Sequence, residues 1–123
     1  MRYMFLLYND PADAPAQGSP EQAAEHKLWA EYTQSLVSAG ILLGGDALHG
    51  IDTATTIRVR DGKTLSTDGP FAETKEVLGG YYIVDVDDLD TATKWAEGVP
   101  LIGYGSVEVR PVIDMDDMPS AGS

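Results

Sequence analysis

The sequence predicts a single α+β domain, and two observations support this prediction. The chain has 123 residues, of which 43% are hydrophobic, and this is enough for one domain with one core. Its strand-like and helix-like segments follow the order strand, helix, strand, hairpin, strand, helix, strand. That order is a ferredoxin-like layout with a β-hairpin inserted in the middle. We assign the domain to residues 1–113 and expect residues 114–123, which contain few core-forming side chains, to be a flexible acidic tail.

The first half of this layout is a strand, a capped helix and a second strand. Residues 2–8 are rich in aromatic and aliphatic side chains, which favours a strand. Ser19 and Gln22 form a capping box, so a helix should begin here and end at Gly40. Four apolar residues at a spacing of four are expected on its inner face: Ala24, Leu28, Tyr32 and Leu36. The second strand should begin at Ile41.

The second half is a hairpin, a strand, a helix and a last strand. Residues 53–67 surround an Asp-Gly pair at positions 61 and 62, which is a strong hairpin signal. Residues 77–86 read as a strand, and Asp88 should cap the second helix. The inner face of that helix is expected to contain Leu89, Ala92, Trp95 and Ala96. Residues 105–113 complete the layout as a strand.

The charge balance argues against two classes of partner. Twenty Asp and Glu residues against eight Lys and Arg residues give a net charge of −12. Such a chain repels phosphate backbones and anionic membrane surfaces, so we expect neither nucleic acid nor a membrane as a partner. The chain has no cysteine, and its apolar N-terminus is too short for a signal peptide. We therefore expect a cytoplasmic protein.

The predicted strands are apolar on both faces, although two helices can cover only one face of a sheet. In the first strand, Phe5 and Leu7 oppose Met4 and Leu6, and residues 81–84 repeat this pattern. A sheet with one face in water should instead alternate apolar and polar side chains. We therefore predict a homodimer in which two sheets pack face to face and enclose a cavity. The alternative is one sheet that is closed by its own loops.

A long segment of the second half is similar to a known family. It reads "DGKTLSTDGPFAETKEVLGGYYIVDVDDLDTATKWAEGVP" and is soon followed by "GSVEVRPV". These motifs resemble the DGPF subgroup of the YCII-related family, and the resemblance extends from Met1 to about Val112. It implies a ferredoxin-like fold that dimerises as an α+β barrel. Members of the family are largely uncharacterised, so the resemblance does not imply a reaction.

The wider family implies a catalytic His-Asp pair that this chain does not retain. The His position corresponds to Trp29, in the first predicted helix, and the Asp position corresponds to Val99, before Pro100. His26 lies nearby on the same helix and is the candidate replacement for the missing histidine. The alternative for His26 is an ordinary solvated helix residue.

We assign candidate catalytic roles to Asp68, Glu73 and Lys75. Asp68 or Glu73 can move a proton. Lys75 lies between Glu73 and Glu76 in the sequence, where neighbouring anions favour its charged form, and it can hold an anionic substrate or stabilise developing negative charge. The alternative is a salt-bridge network at the surface or between subunits, with Asp68 serving the turn.

The turn beside these residues should place them at the rim of a cavity. Gly69 and Pro70 give a rigid bend, and Phe71 should anchor that bend to the core. We expect residues 68–75 to lead into a strand edge, with at least one of the three charged side chains facing inward. The alternative is a hairpin with charged edges.

Four further polar residues are candidate ligand contacts: Asp46, His49, Arg58 and Arg110. Asp46 and His49 follow the Gly-Gly pair at positions 44 and 45, where the backbone can approach another group closely. Arg58 and Arg110 alternate with apolar residues, so they can line a cavity or pair with carboxylates. A structural role is the alternative for His49.

No cofactor or metal motif is complete in the sequence. Gly62-Lys63-Thr64 lacks the first glycine of a phosphate-binding loop, and Leu89 occupies an expected calcium-ligand position. We therefore expect no cofactor and no metal. Three functions stay open: a cofactor-independent enzyme that performs acid/base chemistry on a small polar molecule in the cavity, a non-catalytic small-ligand binder, and a protein-interaction domain.

Overall fold

The computed structural model describes residues 1–70 and 72–117, which form a four-stranded antiparallel sheet, a separate hairpin and two helices. The elements are β1 Arg2–Asn9, α1 Pro20–Ser38, β2 Leu42–Ala47, β3 Thr55–Arg60, β4 Lys63–Asp68, β5 Val77–Asp85, α2 Leu89–Ala96 and β6 Ser106–Pro111. The strand order of the main sheet is β2-β5-β1-β6. The predicted mixture of an antiparallel sheet and two helices is confirmed. Phe71, the expected anchor, and the last six residues of the expected tail lie outside the described residues.

Both helices begin at the predicted capping residues. The Ser19 hydroxyl accepts a hydrogen bond from the Gln22 backbone N–H at 3.1 Å. Asp88 caps α2 by accepting from the Thr91 N–H at 2.8 Å. Hydrogen bonds from Thr91 hold the pKa of the Asp88 carboxyl below its usual value. In the part of the chain that the structure describes, no helix is long and apolar enough to cross a bilayer.

The core lies between one face of the sheet and the two helices. It takes alternate residues of β1 and β5, the inner faces of both helices and the chain that follows α2. Its buried apolar residues are Tyr3, Phe5, Leu7, Tyr32, Leu36, Tyr82, Val84, Val86, Ala92, Ala96, Val99 and Leu101. Because successive strand residues point to opposite faces, Met4, Leu6 and Ile83 point away from the helices.

The inner face of α1 differs from the prediction. Tyr32 and Leu36 are buried, but Ala24 is exposed and Leu28 is 53% exposed, so the prediction is wrong for these two residues. Trp29 packs against the core instead. A spacing of four drifts by about 40° per step around a helix of 3.6 residues per turn. A row of four such residues therefore cannot stay on one buried face.

The inner face of α2 differs from the prediction at one position. Ala92 and Ala96 are buried, and Trp95 packs against the core. Leu89 is 52% exposed, so its predicted burial is wrong. It is the first residue of the helix, and it lies almost a full turn before the buried pair begins.

The other face of the sheet is apolar at its centre. The strand register places Met4 opposite Ile83 and Leu6 opposite Tyr81 on this face, and all four residues are half-buried. Arg110 of β6 lies opposite Met4 at the rim. The helices pack on the opposite face, so neither of them covers these side chains. We call this surface, made of Met4, Leu6, Tyr81 and Ile83, the outer sheet face.

β3 and β4 form a hairpin that is separate from the main sheet. Asp61 and Gly62 have φ values of 51° and 73°, which is the left-handed geometry that an Asp-Gly hairpin turn requires. The predicted turn is therefore present. Ile57 and Val59 are each 58% exposed, so these two apolar residues of the hairpin stay outside the core.

Gly105 holds the start of β6 close to β1. A Cβ added at Gly105 would clash with the backbone oxygen of Tyr8 and would lie 3.0 Å from the Leu101 side chain. We expect Gly105→Ala to lower the free energy of unfolding by about 1–3 kcal/mol, because backbone must shift to relieve the overlap. Gly103→Ala is the control, since a Cβ there meets nothing within 4 Å. Urea denaturation measures both variants, and equal losses would contradict the expected contact.

Candidate active site

A cavity of about 570 Å³ lies between α1 and the helix-facing side of the sheet. This volume suits a small molecule. Three of its lining residues on the strands are glycines, Gly45, Gly79 and Gly80. A Cβ at Gly45 would lie 2.8 Å from the Tyr82 ring and from a backbone oxygen of β5. The close approach expected near Gly44 and Gly45 therefore occurs at Gly45, whereas Gly44 has open space around it.

Glu25 of α1 lines this cavity, and its carboxylate accepts hydrogen bonds from two side chains. The Trp29 indole N–H donates to Glu25 Oε1 at 3.1 Å, from one turn further along the same helix. The Tyr104 hydroxyl donates to the same oxygen from a part of the chain that is 79 residues away. Within residues 1–70 and 72–117, no group donates to Oε2. One oxygen is thus held in place, and the other is available to a ligand.

Tyr104 is a neutral donor in this arrangement. Burial raises the pKa of the Tyr104 hydroxyl, and the hydrogen bond to Glu25 and the negative charge of Glu25 raise it further. The phenol therefore keeps its proton throughout the neutral range. Tyr104 directly follows the short helix Pro100–Gly103, and its backbone N–H donates to the Leu101 carbonyl at 3.0 Å.

Aromatic rings form the wall beside Glu25. The Trp29 and Tyr82 rings are nearly parallel, with centroids 6.4 Å apart and an interplanar angle of 24°. Tyr82 also contacts Tyr32 edge-on at 5.6 Å, and its hydroxyl shares a hydrogen bond of 2.7 Å with Thr33. These contacts fix the Tyr82 ring from two sides. The cavity wall is therefore preorganised rather than loosely packed.

The two positions that correspond to the His-Asp pair lie in different surroundings in this structure. Trp29 lines the cavity and donates a hydrogen bond to Glu25, so the first position contributes to the site without a histidine. Val99 is completely buried in the core, so the second position contributes no polar group. His26 also lines the cavity, but it is an exposed residue.

A second cavity of about 780 Å³ lies under the connection between β4 and β5. Alternate residues of that connection line it, among them Ala72, Thr74 and Glu76. His49, one of the predicted ligand contacts, lines the same cavity. Glu76 accepts hydrogen bonds from the Ser106 hydroxyl at 3.2 Å. The segment singled out in the sequence therefore does border a cavity.

The predicted catalytic residues are not among the lining residues of either cavity. Asp68, Glu73 and Lys75 are exposed, and none of the three lines either cavity. Asp68 is the last residue of β4, and the other two lie in the connection to β5. Their catalytic role stays a prediction.

The four predicted ligand contacts are spread over different surfaces. Asp46 lines the first cavity, but its carboxylate accepts a hydrogen bond of 2.7 Å from the Tyr81 hydroxyl. That hydrogen bond raises the pKa of Tyr81. Arg110 lies at the outer sheet face, and Arg58 lies in the separate hairpin opposite Leu65. The structure therefore does not bring Asp46, His49, Arg58 and Arg110 together.

Sequence reasoning missed Glu25 and Tyr104. Glu25 precedes Trp29 by four residues and Tyr32 by seven, a spacing that places all three on one side of a helix. This signal was available in the sequence. Tyr104 gave no comparable signal, because its contact with Glu25 exists only in the folded chain. In the described part of the chain, no three His, Asp or Glu side chains converge as a metal-binding group.

Comparisons of the sequence with known proteins find a matching family and a similar protein. The family model of the YCII-related domain matches residues 1–116. An uncharacterized protein of Rhizobium meliloti (strain 1021) is 36% identical over 114 residues, which make up 91% of this chain and 92% of that protein.

A solved structure is also similar to this chain. It is the 5-chloro-2-hydroxyhydroquinone dehydrochlorinase from Burkholderia phenoliruptrix AC1100 in complex with 2,5-dihydroxybenzoquinone. The TM-score is 0.55, and the match covers 94% of this chain and 97% of the other. Because the two sequences are only 14% identical, this similarity concerns the fold alone.

Proposed function

The chain belongs to the YCII-related domain family, and we propose that it is a cofactor-independent enzyme that moves a proton on a small molecule bound beside Glu25. The observation that carries this proposal is the pair of donors on one oxygen of Glu25, inside a cavity of small-molecule size. Two donors on Oε1 fix the direction of the carboxylate, and a positioned carboxylate is an effective general base. Trp29 and Tyr104 are positioning residues in this proposal.

The proposed reaction uses the second carboxylate oxygen. Glu25 Oε2 accepts a proton from a carbon next to a carbonyl group, and the C–H electron pair stays on the substrate as an enolate. Glu25 exchanges this proton with solvent, and a proton then returns from Glu25 to the substrate. Oε1 keeps its hydrogen bonds to Trp29 and Tyr104 throughout, so the carboxylate does not have to reorient.

The solved neighbour supports this proposal at the level of the fold. That protein is a dehydrochlorinase, and its structure contains 2,5-dihydroxybenzoquinone, a small planar molecule. This fold is therefore compatible with enzyme activity on a molecule of this size. The changes at the family's paired positions favour a chemistry centred on Glu25 rather than on a His-Asp pair.

Hydrogen–deuterium exchange at carbon tests the proposal directly. The purified chain, without added cofactor, is incubated in D₂O with small carbonyl compounds in anionic, neutral and ammonium-bearing versions. Mass spectrometry then detects deuterium at carbon. We expect exchange above the uncatalysed rate for at least one compound. Binding without exchange for every compound would contradict catalysis and would favour the second candidate, a non-catalytic small-ligand binder in the same cavity.

Two finer assignments belong to the same proposal. The run Asp68-Gly69-Pro70-Phe71 and the residues after it support membership of the DGPF subgroup within the family. The absence of cysteine is in keeping with a cytoplasmic location.

We also propose that the chain is a homodimer joined through the outer sheet face. This face presents Met4, Leu6, Tyr81 and Ile83, all of them half-buried and none covered by a helix. Its rim carries both signs of charge, with Arg110 and Asp46 on opposite edge strands. A surface with an apolar centre and a mixed polar rim is complementary to a second copy of itself.

The dimer gives a testable prediction at Ile83. We expect sedimentation at micromolar concentration to give about twice the 13.2 kDa chain mass, and Ile83→Glu to give the monomer mass, because it buries a charge at the centre of the interface. Ile57→Glu is the matched control, since Ile57 lies on the hairpin and is 58% exposed. A wild-type monomer, or dissociation by both variants, would contradict the proposed interface.

A further inference from the structure

The cavity beside Glu25 carries negative charge and no fixed positive charge. Glu25 is among its lining residues, and none of the described residues that line it is Lys or Arg. The Asp46 carboxylate does not add to this charge inside the cavity, because it accepts a hydrogen bond from Tyr81 at the outer sheet face. The whole chain adds to this field, with a net charge of −12. Because a carboxylate and a negative protein field both repel anions, an anionic ligand is disfavoured in this cavity.

The walls of the cavity are also suited to positive charge. Trp29, Tyr82 and Tyr104 all line it, so part of the cavity wall is aromatic. The faces of aromatic rings attract ammonium groups through their quadrupoles. Oε1 of Glu25 already has two donors, whereas Oε2 has none among the described residues. A ligand that donates a hydrogen bond therefore completes the coordination of the carboxylate.

We propose that the cavity binds a small organic cation, with an ammonium N–H that donates to one lone pair of Glu25 Oε2 and leaves the other lone pair for the proton of the proposed reaction. This inference rests on the site of the proposed function and names the class of its substrate. It replaces the sequence-based expectation of an anionic substrate held by Lys75. That expectation does not fit this cavity, because Lys75 is exposed and does not line it.

Three ligands of one size and different charge test the proposal. Benzylammonium, benzyl alcohol and benzoate are titrated into the wild-type chain by calorimetry at pH 7 and near-physiological ionic strength, which screens the general field of the chain. We expect benzylammonium to bind about tenfold more tightly than benzyl alcohol, from the charge-assisted hydrogen bond and the aromatic walls. Benzoate should show no saturable binding. The comparison needs no variant, so folding defects cannot explain its result.

Two variants test whether the preference for benzylammonium depends on Glu25. Glu25→Gln should remove most of the preference for benzylammonium over benzyl alcohol, because only the attraction of the aromatic walls then remains. Glu31→Gln removes the same charge from the same helix, at an exposed position that does not line the cavity, and should keep the preference. Circular dichroism confirms that both variants are folded. An equal loss in both variants would mean that the preference comes from overall charge, and it would overturn the proposed site.

The outcomes separate this inference from the proposed function. Absence of saturable binding by all three probes, or equal binding of benzyl alcohol and benzylammonium, overturns the cation assignment. If Glu25-dependent deuterium exchange nevertheless occurs, the enzyme proposal stands with a different substrate class. If benzylammonium is preferred through Glu25 but no compound exchanges deuterium, the cation assignment stands and the catalytic proposal fails.

Discussion

Replacement of Glu25 by glutamine should lower the rate of proton transfer by about 10²–10⁴-fold, the usual contribution of a positioned general base. Glutamine has nearly the same shape, and its amide oxygen can still accept the hydrogen bonds of Trp29 and Tyr104. It cannot accept a proton at neutral pH. The variant thus removes the chemistry and keeps the geometry, so kcat should fall far more than the affinity for a neutral substrate. The measurement is deuterium incorporation into the substrate found by the exchange screen.

Glu31→Gln is the matched control for this prediction as well. Glu31 belongs to α1, is exposed and has no contact with the cavity, so its loss should leave the rate unchanged. A rate for Glu25→Gln close to that of the wild type would remove Glu25 from the chemistry. Attention would then return to Asp68, Glu73 and Lys75, whose roles can be measured by the same assay.

Most of the secondary structure could be predicted because its signals act over a few residues. The Ser19 and Asp88 caps and the turn at residues 61 and 62 each use hydrogen bonds or backbone angles that neighbouring residues determine. The alternation of Phe5 and Leu7 with less buried neighbours needs only the geometry of a strand. Such features do not depend on how distant parts of the chain meet.

The candidate site could not be predicted in the same way because it joins distant parts of the chain. Glu25 and Tyr104 are 79 residues apart and meet only when the segment after α2 packs beside α1. Gly45 and Gly80 line the cavity from two neighbouring strands, and the close approach of these strands at the two glycines is also set only in the folded chain. A sequence pattern shows which groups are chemically capable, but packing decides which of them share a cavity.

Residues 66–80 show that a clear sequence pattern also leaves the position of individual side chains undecided. A rigid turn with nearby charges is compatible with a site and also with an exposed connection. In the structure, Thr74 and Glu76 line the second cavity, whereas Glu73 and Lys75 do not. Because neighbouring side chains in an extended segment point in opposite directions, a pattern that places a segment beside a cavity does not by itself decide which of its side chains face that cavity.

We expect the largest stability effect at Leu36. The packing of this residue also bears on the site, because the orientation of α1 determines where Glu25 and Trp29 lie. Leu36 is completely buried against the sheet. We expect Leu36→Ala to lower the free energy of unfolding by about 2–5 kcal/mol, from lost burial and the cavity left behind. This is a large fraction of the roughly 5–15 kcal/mol that stabilises a typical domain. Urea denaturation at one fixed protein concentration measures it, since the proposed dimer would make stability depend on concentration.

Leu28→Ala, on the same helix, is the matched control. Leu28 is 53% exposed, so the same chemical change should cost at most about 0.5 kcal/mol, as is usual for surface substitutions. The contrast between the two variants depends only on which side of α1 faces the sheet. If both variants lost the same stability, α1 would face the sheet through the row of four residues read from the sequence. Glu25 and Trp29 would then turn away from the sheet. The cavity on which the enzyme proposal and the cation proposal rest would not exist.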